Sequence, residues 1–223
     1  SGPGGYSHHL LFNLSVAGYV HPIFEAIVDG ICTAILQAVE RLAPGHVSLQ
    51  HDEIPADKPV GINRAMHAYN SDSDVTPLPA AKAHLAIDRE MTTLRFESAQ
   101  GRPLGAVNWF GVHACNLHAD NHYVHPDNKG FASRALERHA RSVWEAEDFE
   151  AAFPQTSAGD VTPNFRWDAE RKLAVGACAE DIESAEHNGD LQFEQARVLW
   201  EACGESDRLG GTLRASLRYV DFS

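Results

Sequence analysis

The chain has 223 residues, which is long enough to bury one sizeable hydrophobic core. Hydrophobic residues make up 43% and charged residues 22%, proportions that are typical of an ordinary globular protein and exclude a disordered one. Its 18 Lys and Arg residues are outnumbered by 31 Asp and Glu residues, and the formal net charge is −13. This charge argues against nucleic acid or an anionic membrane surface as a partner, because both would repel the protein.

The four cysteines, Cys32, Cys115, Cys178 and Cys203, are widely spaced and form no C-x-x-C pair. Their spacing supports neither a zinc ribbon nor a dense disulfide framework, and it leaves individual disulfides open. No uninterrupted run of about 18 apolar residues occurs, which is the usual signature of a transmembrane helix.

The first part of the chain predicts helices. A short helical pattern covers residues 7–17, and a stronger one begins at Pro22 and stops at Pro44-Gly45. Apolar residues recur along this second stretch at Ile23, Ile27, Ile31, Ile35 and Val39. We expect this helix to face the core, with Cys32 packed on its apolar face.

The next part predicts a β-sheet. His46–Ile54 alternates as a strand does, and Met91–Glu97 and Leu104–His113 read as two strands of a hairpin joined by residues 99–103. The second of these strands is almost continuously apolar, which is typical of an interior strand buried on both faces. It would present His113 at its end.

The second half of the chain adds helices to this sheet. Asp127-Asn128 is expected to cap a helix that runs to about Trp144, and Phe149–Phe153 is expected to be the following strand. Strand, helix and strand in this order predict a βαβ unit, and therefore an α/β fold with a mixed β-sheet core flanked by helices. A further helix is predicted over Leu191–Ala202 and a further strand over Leu213–Tyr219.

The stretch Phe153–Asn164 carries the candidate nucleophile. Gly159 allows the chain to turn, and Pro163 pushes Thr162 toward extended geometry, so the hydroxyl would stand on a rigid loop. A threonine hydroxyl on such a loop can act as a nucleophile. The residues alone favour an ordinary β-turn that contains a threonine.

Imidazoles are dense from His113 onward, with His118, His122 and His125 following it. Imidazole and carboxylate groups are the ligands that zinc prefers, but this spacing matches no compact zinc motif such as H-E-x-x-H. We interpret the last three as surface-loop histidines. An arginine such as Arg64, in a polar connection, is usually solvated.

Five motifs in the order of the chain resemble those of the neutral ceramidases, zinc amidohydrolases that cleave the N-acyl bond of ceramide. They are Ser1-Gly-Pro-Gly-Gly5, Asn63-Arg64, Trp109-Phe-Gly-Val-His113, Asp127-Asn-Lys-Gly-Phe-Ala132 and Gly159-Asp-Val-Thr-Pro-Asn164. The resemblance covers essentially the whole chain. One position departs from it: the family carries a serine, regarded as its nucleophile, where this chain has Thr162, whose extra methyl group crowds attack and stiffens the side chain.

The resemblance implies a role for each of three residues. Thr162 would be the catalytic hydroxyl, Arg64 would bind substrate, and His113 would be a ligand of Zn²⁺. The other zinc ligands of the family would be a histidine before Ser1 and a Glu and a Tyr beyond residue 223. Residues 1–223 are therefore expected to be part of a larger zinc amidohydrolase catalytic domain, truncated at both ends.

The implied activity is the zinc-dependent hydrolysis of ceramide to sphingosine and a fatty acid. The family is secreted, periplasmic or at the cell surface, and peripheral contact with a membrane would give access to a lipid substrate. Two alternatives stay open: a zinc amidase that acts on another N-acyl lipid or an N-acyl amino acid, and a non-catalytic lipid-binding relative in which the serine-to-threonine change marks lost activity.

Overall fold

A computed structural model describes residues 5–6, 18–212 and 214–219. The helix predicted within residues 7–17, and all but the last residue of the first glycine-rich motif, lie outside the described residues. In chain order the elements are α1 (His21–Glu40), β1 (Gly45–Glu53), β2 (Ile62–Asn63), α2 (Met66–Ser71), a 3-10 helix (Ala80–Leu85), β3 (Glu90–Ser98), β4 (Pro103–Trp109), α3 (Asp127–Val143), β5 (Glu150–Ala152), β6 (Val161–Thr162), β7 (Arg166–Asp168), β8 (Leu173–Val175), α4 (Asp181–Ala202) and a second 3-10 helix (Glu205–Asp207).

The main sheet has four strands in the order β1-β3-β4-β5. The first three strands are antiparallel neighbours, and β5 joins β4 in parallel. Parallel neighbours need a crossover connection, and α3 supplies it, so β4, α3 and β5 form the predicted βαβ unit. The predicted fold class, a mixed sheet flanked by helices, is confirmed. The hairpin of β3 and β4 is also confirmed, and β4 is an interior strand as predicted.

Aromatic rings close the end of the core that is formed by α3, α4 and β5. Trp144 stacks on Trp200 with ring centroids 4.9 Å apart, and Phe149 meets Trp200 edge-on at 5.2 Å. The guanidinium of Arg95, a residue of β3, lies 4.8 Å from the centroid of the Trp200 ring. These contacts anchor both helices to the sheet, because large rings contribute most of the buried apolar area.

A buried amide network joins α3 to α4. Gln192 Nε2 donates to Asn188 Oδ1 at 2.9 Å and to Asn128 Oδ1 at 3.3 Å, and Asn188 Nδ2 donates to the Val60 carbonyl at 2.7 Å. All three amide side chains are buried. Such a network holds one arrangement of the two helices, because any other would leave buried donors and acceptors without partners.

This network explains why α4 begins at Asp181, ten positions before the start predicted at Leu191. The first turns of α4 bury Ser184, which hydrogen-bonds to the backbone of Cys178, and Asn188, which donates to the Val60 carbonyl. Apolar periodicity predicts that such polar residues are exposed to solvent. The prediction of the helix is therefore confirmed and its predicted start is wrong.

Helix α1 forms where it was predicted, but it does not face a core within the described residues. None of its residues is buried, and Ile31 and Ile35 are each 57% exposed. Cys32 is exposed too, so its predicted core position is wrong. By length and a mean hydropathy of 1.5 alone, α1 is the one helix of the described chain that is long and apolar enough to cross a membrane.

The strand predicted over Leu213–Tyr219 is not found. Residues 214–219 have no regular secondary structure and are exposed, and Leu213 lies outside the described residues. Alternation of apolar and polar residues predicts a strand only where a partner strand and a core are available.

Lys129 makes the stability of the fold depend on pH. Its Nζ donates to the Phe110 carbonyl and to Gln192 Oε1, both at 2.8 Å, and burial of this amine lowers its pKa from 10.5 to about 7. Between these two values the unfolded chain binds more protons than the folded one, so stability rises with pH. We expect Lys129 to raise the free energy of unfolding by up to about 1.4 kcal/mol per pH unit in this window.

Urea unfolding at pH 7, 8, 9 and 10 measures this slope. Lys129→Met should flatten the slope, whereas Lys82→Met, which removes an exposed lysine, should leave it unchanged. An equal slope in the wild type and in Lys129→Met would contradict the assignment.

Candidate active site

The short strand β6 is the centre of the candidate site. It pairs antiparallel with β2, so that Ile62 lies opposite Thr162 and Asn63 lies opposite Val161. Residues that are directly opposite each other share one face of the pair. Ile62 and Thr162 therefore share one face, while Asn63 and Val161 share the other and are buried.

Arg64 continues from β2 along one edge of β6. Its backbone N–H donates to the Asp160 carbonyl at 2.8 Å, and its Nη2 donates to the Gly159 carbonyl at 2.9 Å. The residue is exposed. A guanidinium held in this way from one side can offer its other N–H groups to a carboxylate or carbonyl oxygen.

His113 docks on the opposite edge of β6. Its backbone N–H donates to the Val161 carbonyl at 3.4 Å, and its Nδ1 lies 2.8 Å from the same oxygen. A carbonyl only accepts, so Nδ1 carries the hydrogen and Nε2 keeps its lone pair. Metal-bound histidines have this arrangement, in which the second ring nitrogen donates to a carbonyl or carboxylate.

His113 therefore fits the zinc-ligand role that the family resemblance implies, through Nε2. Among the described residues no group of three or more His, Cys, Asp or Glu side chains is placed to hold a metal ion.

Thr162 belongs to β6 itself and is half-buried. Its Oγ1 accepts from the backbone N–H of Asn164 at 3.2 Å, and a side-chain hydrogen bond joins it to Cys115. Asn164 in turn donates from Nδ2 to the Cys115 carbonyl at 2.8 Å. These contacts hold the hydroxyl in place from two sides.

Cys115 received no role from the sequence, and its position two residues after His113 was the signal available. Burial raises the pKa of the Cys115 thiol, and the Asp127 carboxylate adds to this rise. The thiol therefore stays protonated near neutral pH, and it does not compete with Thr162 as a thiolate nucleophile.

Asn63 connects two of the motifs. Its Nδ2 donates to Asp160 Oδ2 at 2.7 Å and to the Ala86 carbonyl at 2.9 Å, and its Oδ1 accepts from the backbone N–H of Ala65 at 2.7 Å. Both side-chain hydrogen-bonding atoms of this buried amide thus connect β2 to the residue before β6, to the turn after Arg64 and to the end of the 3-10 helix Ala80–Leu85.

The motif Asp127–Ala132 forms hydrogen bonds to the backbone of His113 and of the loop that follows it. The prediction that Asp127 caps α3 is wrong, because the N-cap position belongs to Pro126 and carries no side-chain cap. The Asp127 carboxylate instead accepts from the backbone N–H groups of Asn116 and Leu117, each at 3.0 Å. It thereby fixes the loop that follows His113.

The next three residues of this motif complete the support. Asn128 Nδ2 donates to the His113 carbonyl at 3.0 Å and to Asn116 Oδ1 at 2.9 Å, while Lys129 holds the Phe110 carbonyl. At Gly130 a Cβ atom would lie 2.1 Å from Pro126 Cγ, so only glycine fits.

Both ring nitrogens of His118 are engaged by other groups, and His125 Nδ1 accepts from the backbone N–H of Asp127 at 2.9 Å. His118 Nδ1 lies 2.7 Å from Asp181 Oδ2, and its Nε2 lies 2.9 Å from the Ala174 carbonyl. Burial alone would raise the pKa of Asp181, yet hydrogen bonds from Arg171 and His118 hold that pKa down to about 2. This ion-pair cluster ties the loop after His113 to α4. His122 is exposed, as expected for a surface loop.

The fold is an α/β domain, and its site is centred on the two-residue strand β6. This strand carries the hydroxyl of Thr162, and the guanidinium of Arg64 and the imidazole of His113 lie on its two edges. The family model described as "Neutral/alkaline non-lysosomal ceramidase, N-terminal" matches residues 1–223. The chain belongs to the neutral/alkaline non-lysosomal ceramidase family, which confirms the resemblance carried by the five motifs.

Named relatives agree with this result. The neutral ceramidase of Pseudomonas aeruginosa is 34% identical over 224 residues, which cover 100% of this chain and 31% of that protein. The neutral ceramidase of Mycobacterium tuberculosis is 33% identical over 227 residues, which cover 99% of this chain and 33% of that protein. The chain thus spans about a third of the length of these relatives.

Solved structures show the same fold. The crystal structure of neutral ceramidase from Pseudomonas aeruginosa matches with a TM-score of 0.77 at 33% identity, over 95% of this chain and 31% of that one. A structure of a ceramidase complexed with C2 matches with a TM-score of 0.80 at 32% identity, over 95% of this chain and 30% of that one.

Loss of the Asn128 side chain should destabilise the fold around His113. Asn128→Ala removes the donor to the His113 carbonyl and to Asn116 Oδ1, and it leaves Gln192 Nε2 with one partner fewer. Each buried polar group left unpaired costs about 1–3 kcal/mol, so we expect a loss of roughly 3 kcal/mol in the free energy of unfolding. Urea unfolding measures this loss.

The matched control is Gln100→Ala, which removes an exposed amide in the β3–β4 turn and should change stability by less than about 0.5 kcal/mol. If both variants lost the same stability, the amide network would not be a structural support.

Proposed function

We propose that this chain is part of a zinc-dependent ceramidase that hydrolyses the N-acyl amide bond of ceramide to sphingosine and a fatty acid. Membership of a family whose named relatives are neutral ceramidases supports the substrate. The observation that carries the proposal is the placement of Arg64 and His113 on the two edges of β6, the strand that carries Thr162.

Thr162 acts as the nucleophile in this proposal. Its Oγ1 forms a bond to the amide carbonyl carbon, the carbon–nitrogen bond breaks, and the hydroxyl proton is transferred to the departing amine. Water then cleaves the acyl ester and releases the fatty acid. The backbone N–H of Asn164 and the Cys115 side chain hold the hydroxyl in position for attack.

His113 binds the zinc ion through Nε2, since its Nδ1–H is engaged by the Val161 carbonyl. When bound, the ion supplies the Lewis acidity that polarises a carbonyl oxygen. The remaining ligands come from outside residues 1–223, as the family resemblance implies.

Arg64 binds the substrate on the other edge of β6. Its guanidinium is anchored by the Gly159 carbonyl and is exposed, so it can donate to the oxygen on which negative charge develops during attack. In the product state the same group can bind the fatty acid carboxylate.

The function and the nucleophile are tested together by release of fatty acid from ceramide. The full-length protein supplied with zinc should cleave ceramide, and Thr162→Ala should lower kcat by at least about a thousandfold, because no other hydroxyl is held at this position. Thr162→Ser should keep or raise kcat, since it retains the hydroxyl and removes the crowding methyl group.

Full turnover by Thr162→Ala would show that the nucleophile is wrongly assigned. Absence of cleavage by the wild type in the presence of zinc would instead favour the non-catalytic lipid-binding alternative, for which the threonine in place of serine is the motivating observation. Cleavage of other N-acyl compounds in preference to ceramide would favour the related amidase.

The zinc assignment is tested by metal analysis of the purified full-length protein. His113→Ala should lower zinc affinity by at least about a hundredfold, because loss of a ligand costs more than loss of a group that merely orients one. The control is His122→Ala, an exposed histidine of the same segment, which should retain the zinc content of the wild type. Equal zinc in both variants would remove His113 from the ligand set.

A further inference from the structure

Asn164 contacts the oxygen of the proposed nucleophile through its backbone. Its N–H donates to Thr162 Oγ1 across a distance of 3.2 Å. Pro163, which lies between the two residues, has no N–H, and its ring restricts the backbone at this point. The donor is therefore carried on a short, stiff segment that begins at the nucleophile itself.

The side chain of Asn164 fixes the position of this N–H. Its Nδ2 donates to the Cys115 carbonyl at 2.8 Å. Cys115 lies two residues after His113, whose own backbone N–H donates to the Val161 carbonyl at 3.4 Å. The segments 113–115 and 161–164 are thus joined at two points, so the Asn164 donor and the proposed zinc ligand are held by the same pair of segments.

Burial of the Asn164 amide lowers the stability of the fold. The side chain is only 8% exposed, and within the described part of the chain its Oδ1 accepts no hydrogen bond. A buried acceptor without a partner destabilises the folded state, and such groups call for a role other than stability. The contact that this side chain does make, from Nδ2 to the segment of His113, serves the geometry of the site.

Thr162 Oγ1 gains negative charge in both steps of the proposed reaction. In the first step it bonds to the amide carbon, its proton passes to the amine nitrogen and the carbon–nitrogen bond breaks. In the second step a water oxygen bonds to the ester carbon, the bond from that carbon to Oγ1 breaks with its electron pair left on Oγ1, and Oγ1 takes a proton from the water. Hydrogen bonds to a charged oxygen shorten to about 2.7–2.9 Å and are roughly twice as strong as neutral ones. The longer bond from Asn164 can therefore tighten as charge develops.

We propose that the backbone N–H of Asn164 is a catalytic donor that stabilises the charge on Thr162 Oγ1 in both steps, and that the Asn164 side chain positions this donor. The inference rests on the proposed function, in which Thr162 is the nucleophile. A backbone donor that is fixed before substrate binds needs no reorganisation during the reaction. It is separate from Arg64, which is proposed to serve the carbonyl oxygen of the substrate.

The test removes this N–H in the full-length protein supplied with zinc. Asn164→Ala keeps the backbone donor, whereas lactic acid built into position 164 has the same side chain and puts an ester oxygen in place of the N–H. The ester form should lower kcat for ceramide at least about tenfold relative to Asn164→Ala, at an unchanged KM, because a hydrogen bond to a charged group contributes this much or more to the rate. Asn164→Pro removes the same N–H and provides a second comparison with Asn164→Ala should the ester form fail to fold.

The positioning role of the side chain has its own readout. Asn164→Ala should lower kcat by about tenfold relative to the wild type at an unchanged KM, because the donor remains but loses its anchor on the Cys115 carbonyl. Wild-type kcat in Asn164→Ala would remove the side chain from this role. An equal fall in kcat and rise in KM would indicate a general loss of site structure instead, and would also overturn it.

The matched control for the ester is lactic acid in place of Ala169, at an exposed turn, which should keep the wild-type kcat. Equal kcat with and without the N–H at position 164, in folded proteins, would overturn the catalytic donor and leave the ceramidase assignment intact. An equal loss of kcat from the esters at positions 164 and 169 would overturn it as well. Failure of the wild type to cleave ceramide would overturn the proposed function itself.

Discussion

The carbonyl of Val161 is the contact on which the site depends. It accepts from both the backbone and the ring of His113, and so it fixes the position and the tautomer of the imidazole with one atom. The residue that supplies this oxygen is the immediate neighbour of Thr162. The distance between nucleophile and proposed zinc ligand is therefore set through one peptide unit of backbone, which is far stiffer than a pair of long side chains.

The surrounding motifs make this contact rigid. Asn63 and Arg64 hold one side of β6 through Asp160 and Gly159, and Asn128 holds the His113 carbonyl from the start of α3. Buried amides of this kind favour a single arrangement of the backbone around them, because a buried amide that loses its partner has no water to bond to instead. Asn128 is also hydrogen-bonded to Gln192 of α4, which is bonded to Asn188. The packing of α3 against α4 and the geometry of the site therefore depend on the same hydrogen-bond network.

Helix α1 contrasts with this well-packed region. Its apolar residues repeat with the period of a helix, yet within the described chain they are exposed, and the described elements leave its stripe uncovered. The chain also spans about a third of the length of its named relatives. Ile31, Ile35, Leu36 and Val39 are each more than half exposed.

Hydrophobic pattern was enough to predict most of the fold. It placed α1, the strands β1, β3, β4 and β5, the helix α3 and the βαβ connection, because each of these elements carries a clear period or an apolar run. The start of α4 and the role of Asp127 were missed for a common reason. Ser184, Asn188 and Asp127 are polar residues that are buried, and local periodicity has no way to distinguish a satisfied interior polar group from a solvated one.

The sequence alone constrained the backbone around Thr162, and it indicated the roles of His113 and Arg64 only through the resemblance of the five motifs to the family. It could not establish that the three meet. Residues 64, 113 and 162 are far apart along the chain, and they are joined by hydrogen bonds to the backbone of residues 159–161, which any amino acid could supply. Backbone contacts leave no trace in side-chain identity, so only the tertiary structure decides which edge of β6 Arg64 and His113 each occupy.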